Sequence, residues 1–463
     1  MRLSLSQISL TAVVALGVIL STSWPSAEAL PVGAINRRPH FSSTPLVARS
    51  AAALKSYDQH RVVRVNIQSE DQLKILTENE DSLHFDYFTH EKNIGGNIDI
   101  RLTPEDFVKF QSLNIGYTIL IDNLQTILDQ ERDEDGQYQQ KWENSKLNKV
   151  SMNGVAFPGN DDVFTNSQDW FSGYHSYEDH QTWLQTQIKK YATIASAFSA
   201  GKSFQNREQA GIKIGNGPNN VVFHGLQHSR EWITGSVVEY LIDQLLRGTD
   251  SRVAGYLKKY TFHIIPIMNP DGFVITQSSD RMHRKNAQKN GECLGTDTNR
   301  NWNFHWNEGG ASTDPCADSY MGPSAFSAPE AKNIGEYLKK LPNVVSYIDF
   351  HSYSQLWMTP YGFTGKRPDN YDTYLKPLAV GAVAALKAAG GTVFQAGDIY
   401  NTIYPASGSS VDYALSVGVG APFAVELRDR GEFGFSLPAN QIIPSGKEVW
   451  AAFTYILDNL KTK

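Results

Sequence analysis

The chain has 463 residues, 41% of them hydrophobic and 19% charged, and its 42 Lys+Arg against 48 Asp+Glu leave a formal charge of −6. This is globular composition, which excludes collagenous, low-complexity and wholly disordered chains and offers no Lys/Arg excess for tracking nucleic-acid phosphates. Two cysteines, Cys293 and Cys316, suffice for one bridge but not for a disulfide-rich scaffold or a four-thiolate zinc site.

The N-terminus carries the pattern of a secretory signal peptide over residues 1–29. Arg2 supplies positive charge, TAVVALGVIL (11–20) is an apolar run, and Ala27-Glu28-Ala29 is a small-residue cleavage pattern. The run is shorter than the roughly 20 residues of a membrane span, and Pro25 follows it closely. A secreted, extracellular protein is expected, in a compartment where cysteines pair stably.

Residues 51–150 carry 18 acidic and 11 basic side chains, so the chain's acidity is concentrated there. RVVRVNIQ (61–68) alternates like a half-buried strand, SEDQLKILTEN (69–79) opens with Ser and two acids like a capped helix, and NIDIRL (97–102) reads as another strand. TPEDFVKFQSL (103–113), with a Thr cap and an early Pro, predicts a second helix before the strand YTILIDN (117–123). This order suits a small α+β open sandwich. QERDEDGQYQQKWENSKLNK (130–149) is polar and almost without aliphatics, and predicts an exposed linker that proteases can cut.

Beyond residue 150, strand signals alternate with helix signals, which favours an α/β domain with a mixed central sheet flanked by helices. NVVFHG (220–225), TFHIIPIM (261–268), VVSYIDF (344–350) and PFAVELR (422–428) read as strands. WITGSVVEYLIDQLLRG (232–248), APEAKNIGEYLKKL (328–341) and YLKPLAVGAVAALKAAG (374–390) read as helices.

The chemistry begins at HSRE (228–231), directly after the first of these strands. Ligands of open α/β sheets sit at the carboxyl ends of strands, and His228 with Glu231 offers the nitrogen and hard oxygen that suit zinc. Such a pair is common on solvated turns, and a catalytic zinc needs a third protein ligand and an open fourth position. His351 has the same placement, just after an apolar strand. Its other reading is a buried histidine satisfied by the backbone. Glu426 lies among Phe423, Ala424, Val425 and Leu427, where a carboxylate is costly unless paired or protonated. It is a candidate base; an ion pair with Arg428 or another arginine is the alternative.

Six strings then share a pattern in order: GLQHSREWITG (225–235), DRMHRKN (280–286), GTDTNRNW (295–302), DFHSYSQLWMTPYG (349–362), TIYPASGSSVDY (402–413) and ELRDRGEFGFSLP (426–438). On these strings the chain resembles zinc metallocarboxypeptidases of the carboxypeptidase A type, secreted as proenzymes. The resemblance implies one zinc ion held by His228, Glu231 and His351, with Glu426 as general base and then acid, and Arg284 stabilising charge on the scissile carbonyl oxygen. It implies that Asn299, Arg300 and Tyr404 hold the substrate's terminal carboxylate, for which the planar fork of Arg is suited. Arg230, Ser352, Tyr353 and Phe435 fall at further substrate contacts, and Asp297 resembles a carboxylate that orients a zinc histidine. Cys293 and Cys316 fall where relatives have a bridge.

Val411 stands where a basic-residue carboxypeptidase carries an acid at the pocket floor. An aliphatic floor, with Ala406 and Ala424 on the walls, implies aromatic or large aliphatic C-terminal residues, because a buried Lys or Arg would lack a partner. Asp412 is the nearest acid, and a shifted pocket using it would reverse that preference. His283, Pro405 and Ser409 depart from the common family pattern.

The implied organisation is a signal peptide (1–29), an activation segment with inhibitory domain and cleavable linker (30–150), and a catalytic domain (151–463). Its partners are peptide C-termini, an activating endoprotease cutting after Lys141, Lys146 or Lys149, and the chain's own inhibitory domain, whose acidity faces a cleft holding Arg230, Arg284 and Arg300. A monomer is expected, with no nucleic-acid or membrane partner. The alternative is a non-catalytic binder of peptide C-termini that retains the fold.

Overall fold

The computed structural model of the chain describes residues 54–462, apart from 81, 84, 90–93 and 152–166. The expected signal peptide and residues 30–53 lie outside the described residues.

The N-terminal elements follow the expected order: β1 (Arg61–Asn66), α1 (Glu70–Asn79), β2 (Asp86–Tyr87), β3 (Asn97–Leu102), α2 (Pro104–Gln111) and β4 (Thr118–Ile121). Ser69 and Thr103 cap the two helices by accepting from the amides of Gln72 and Asp106. The antiparallel sheet has the order β2-β3-β1-β4. Alternation gives its faces different partners. Val63, Val65, Ile98 and Ile100 pack with Leu76, Phe107 and Phe110 of the helices, whereas Val62 and Ile121 pack with Met282, Tyr353 and Phe435 from far along the chain.

The expected linker is instead the body of a helix, α3 (Leu124–Ser151). Residues 130–149 have no apolar stripe to signal helical period, but their many Gln, Glu and Lys are good helix formers. The helix is tethered by contacts distant in sequence. Leu124 and Leu128 join the cluster of Met282, Tyr353 and Phe435; Glu131 pairs with Arg281 through bonds of 2.7 and 2.8 Å; and Tyr138 Oη donates to the Asp169 carbonyl at 2.7 Å.

The remaining elements are α4 (Ser167–Trp170), α5 (Tyr177–Lys190), β5 (Ala195–Lys202), β6 (Glu208–Ile214), β7 (Asn219–His224), α6 (Trp232–Arg247), α7 (Val253–Lys259), β8 (Tyr260–Ile265) and α8 (Pro270–Ser278). They continue through the short strands β9 (Lys289–Asn290) and β10 (Cys293–Leu294), then α9 (Pro329–Lys340), β11 (Val344–His351), β12 (Leu356–Thr359), α10 (Lys376–Ala388), β13 (Gln395–Asp398), α11 (Ile399–Thr402), α12 (Ser410–Ser416), β14 (Ala421–Glu426) and α13 (Ile442–Asn459). Eight strands form one mixed sheet, β13-β12-β14-β11-β7-β8-β6-β5.

Its central strands β14, β11, β7 and β8 run parallel and are buried on both faces, so they read as near-continuous apolar runs. On one face Val221, Phe223, Ile348 and Phe350 pack under α6 and α13 with Phe453 and Leu241. On the other, Val222 and Tyr347 pack with Trp302, Ile334 and Tyr413. Cys293 and Cys316 form a disulfide, with their Cα atoms 5.1 Å apart. Among the described residues no helix is long and apolar enough to cross a membrane.

Candidate active site

The carboxyl ends of β7, β11 and β14 lie side by side, and each delivers a polar group to the same point. The chain leaves β7 through a tight turn. A Cβ on Gly225 would lie 2.7 Å from the Thr234 carbonyl oxygen, so the turn requires glycine there. Thr234 Oγ1 closes the turn, accepting from the Leu226 amide and donating to the Glu231 carbonyl, both at 2.8 Å. His228 and Glu231 thereby face His351, the last residue of β11, whose register partner on β14 is Glu426.

His228 Nδ1 lies 2.8 Å from Glu231 Oε1, and His351 Nδ1 lies 3.1 Å from both His228 Nδ1 and Glu231 Oε2. All three residues are buried. Ligands bound about 2.0–2.1 Å from a tetrahedral zinc stand roughly 3.3 Å apart, so two imidazole nitrogens and a carboxylate at these spacings fit that metal. The opposite nitrogens are also committed. His228 Nε2 lies 3.2 Å from Asp297 Oδ1, and His351 Nε2 lies 2.9 Å from Asp349 Oδ2. Burial opposes ionisation of Glu231, yet the two histidines override it and hold the carboxyl well below its usual range.

Glu426 is not the ion-pair partner of Arg428, which instead grips Glu448. Its Oε2 is buried without a hydrogen-bond partner. Burial, reinforced by Glu231 and Asp349, raises its pKa against the pull of His351 and Arg284. Arg284 spends Nε and Nη2 on Asp297 at 3.2 and 3.0 Å, while Nη1 lies 3.9 Å from Glu231 Oε1.

This centre shares a pocket whose polar lining is His228, His351, Asn299, Arg300, Tyr404 and Glu426. Its apolar lining is Met358, Ile399, Ile403, Ala406, Val411 and Ala424, with Ser409 at the start of α12. Asn299 Oδ1 accepts from the Ser410 amide at 2.9 Å. Arg300 donates to the Gly310 and Asn299 carbonyls, with its guanidinium 5.3 Å from the Tyr404 ring centre. Asp412 does not line this pocket. It is buried elsewhere, accepting from the amides of Gly362 and Phe363, and burial pushes its pKa up to about 7 despite those amides. The shifted, acidic pocket is therefore not what the geometry presents. Among the departures, Ser409 caps α12 and the His283 ring contacts the Asn286 carbonyl at 3.0 Å.

The N-terminal elements contact Arg230, Tyr353 and Phe435. Arg230 Nη1 lies 3.2 Å from both Asp86 Oδ1 and Asp318 Oδ2, and Nη2 donates to the Tyr87 carbonyl at 3.1 Å. Phe88 packs on Phe435 with ring centres 4.8 Å apart, and Tyr353 Oη donates to Asp99 at 2.9 Å. The Ser352 amide donates to Glu231 Oε2 at 3.3 Å. Of the three cleft arginines expected to meet acidic surface, only Arg230 does so among the described residues. Arg284 and Arg300 are paired within their own unit. Motif reading missed Asp349, Asp318, Met358, Ile399 and Ile403; the two isoleucines one turn apart before Tyr404 were the available signal.

Two histidines and a carboxylate stand at zinc spacing beside a second buried carboxylate, Glu426, and a partly apolar pocket. The zinc carboxypeptidase family model matches residues 180–452, and the carboxypeptidase activation peptide model matches residues 63–131. The chain is 36% identical over 420 residues to a metallocarboxypeptidase A-like protein of Trichophyton verrucosum, covering 88% of this chain and 94% of the relative. It is 40% identical over 301 residues to carboxypeptidase B of Astacus astacus, covering 63% and 98%. The crystal structure of carboxypeptidase A from Helicoverpa armigera superposes with a TM-score of 0.76 at 26% identity, covering 87% of this chain and 98% of that one. The chain belongs to the zinc carboxypeptidase family: it is a carboxypeptidase A-like metallocarboxypeptidase with an activation peptide, and His228, Glu231 and His351 form its potential metal site.

Proposed function

We propose that this chain is a secreted, latent exopeptidase that removes single aromatic or large aliphatic residues from peptide C-termini. In this reading residues 1–29 are removed on secretion, 30–150 form the activation segment, and 151–463 form a monomeric catalytic domain. The observation that carries the specificity is the pocket itself, lined by the apolar Met358, Ile399, Ile403, Ala406, Val411 and Ala424, with Glu426 as the acid of its lining.

His228, Glu231 and His351 would hold zinc. When bound, zinc supplies Lewis acidity, polarising a carbonyl and making water acidic enough to lose a proton near neutral pH. Glu426 takes that proton from the attacking water and delivers it to the leaving amine, a task suited to a carboxylate whose pKa is raised by burial. Arg284, fixed by Asp297, stabilises charge on the scissile carbonyl oxygen with the nitrogen that faces the site. Arg300, Asn299 and Tyr404 of the pocket lining hold the terminal carboxylate. An internal peptide bond has no carboxylate to offer, so cleavage is confined to the last residue.

Latency follows from occupation of Arg230, Tyr353 and Phe435 by Asp86, Tyr87, Asp99 and Phe88. The activating cut falls in the distal half of α3, after Lys141, Lys146 or Lys149, where the helix must open locally to enter a protease. The test is turnover of N-blocked dipeptides ending in Phe, Leu, Lys, Glu or an amidated Phe. Release of Phe and Leu, with little from Lys and Glu and none from the amide, is expected; efficient release of the amidated residue would overturn the carboxylate clamp.

A further inference from the structure

Asp349 stands two residues before His351 on β11 and is fully buried. A lone carboxylate in the middle of a sheet is costly unless its oxygens are engaged; Oδ2 is engaged, while Oδ1 is buried without a hydrogen-bond partner. Ser410 Oγ donates to Oδ2 at 2.5 Å, Gln227 Nε2 donates to it at 2.8 Å, and His351 Nε2 lies 2.9 Å away. Oδ1 faces His224 Nδ1 at 3.4 Å.

A neutral imidazole carries one N–H. A zinc ligand needs an unprotonated Nδ1, so in that role the neutral His351 ring carries its proton on Nε2, which faces Asp349 Oδ2 at 2.9 Å, with Asn299 Nδ2 at 3.2 Å, and Asp349 can fix both tautomer and ring orientation. We propose that Asp349 is a positioning residue for the metal, aiming His351 as Asp297 aims His228, and that Ser410 holds Asp349 in place. Ser410 also ties this strut to the substrate groups: its amide donates to Asn299 Oδ1, and Val411 of the pocket is its neighbour. The inference rests on the reading of His351 as a zinc ligand.

The test uses the full chain, stripped of metal and titrated with zinc against a competing chelator, with cobalt substitution as a spectroscopic probe. Asp349→Asn is expected to weaken zinc binding about 10–100-fold and to shift the cobalt ligand-field bands. Ser410→Ala should act in the same direction by a smaller factor. A merely structural role would lower the melting temperature of the metal-free protein and leave both readouts unchanged. Wild-type zinc affinity and cobalt spectrum in folded Asp349→Asn would overturn the proposal. Should that variant fail to fold, unchanged affinity in Ser410→Ala would overturn it. Failure of the wild type to bind zinc, or undiminished binding by His351→Ala, would sink instead the reading of the site on which it rests.

Discussion

Arg230 and Asp86 meet at 3.2 Å although they belong to the catalytic and activation-peptide matches respectively. Arg230 is 1% exposed and keeps a second carboxylate, Asp318, at the same distance. The activation segment therefore joins an ion pair that exists within the catalytic domain rather than creating one.

Replacing Asp86 by Asn should weaken docking by about 1.5–3 kcal/mol, the worth of hydrogen bonds to charged groups, because Arg230 retains Asp318. Inhibition by the segment that remains associated after nicking should weaken roughly ten- to hundredfold. Activity against time after a limited tryptic cut measures this, and an unchanged onset would contradict the role given to Asp86.

Docking of α3 should depend on pH. Burial against the catalytic domain, followed by the nearby Glu131, pushes the Asp135 carboxyl up to about 7, whereas an undocked Asp titrates near 4. Docking therefore takes up a proton between these values, so attachment is strongest at acid pH and weakens as pH rises through about 7. Hydrogen-exchange protection of residues 124–138, corrected for intrinsic rates, should fall over that range, and Asp135→Asn should flatten the dependence. Protection that rises with pH would refute the assignment.

Val411→Asp should move the preference toward C-terminal Lys and Arg. Unpaired in an apolar pocket, the new carboxylate would lower kcat/KM for Phe by at least about tenfold and raise it for Lys. Asp412→Asn, by contrast, should leave the Phe-over-Lys ratio unchanged, because Asp412 is bound to the backbone of Gly362 and Phe363. A ratio that collapses in Asp412→Asn would restore the shifted pocket.

Glu426→Gln should lower kcat by about 10²–10⁴, the range for loss of a general acid–base group, with zinc content unchanged. Steady-state kinetics on metal-quantified protein decides this, and a loss of less than tenfold would remove Glu426 from its role.

What the sequence made legible is local. His228, Glu231, His351 and Glu426 stand at strand ends flagged by apolar runs, and β3 is observed over the residues read for it. The potential metal set was therefore readable once the motifs were taken in order. Contacts closed by the fold were not. Nothing near Asp349 in sequence announces that Ser410 and Gln227 converge on it, and nothing in the Asp86 string announces Arg230. The helix over residues 124–151 was hidden because its stability comes from Leu128, Glu131 and Tyr138 meeting distant residues rather than from an apolar period.

Latency and zinc dependence are tested together by comparing intact and trypsin-nicked chain on one N-blocked dipeptide ending in Phe, with and without a zinc chelator. Release of Phe is expected only after nicking, abolished by chelator and restored by added zinc. Equal turnover before nicking would contradict latency, and turnover that survives complete removal of metal would contradict the assignment of His228, Glu231 and His351.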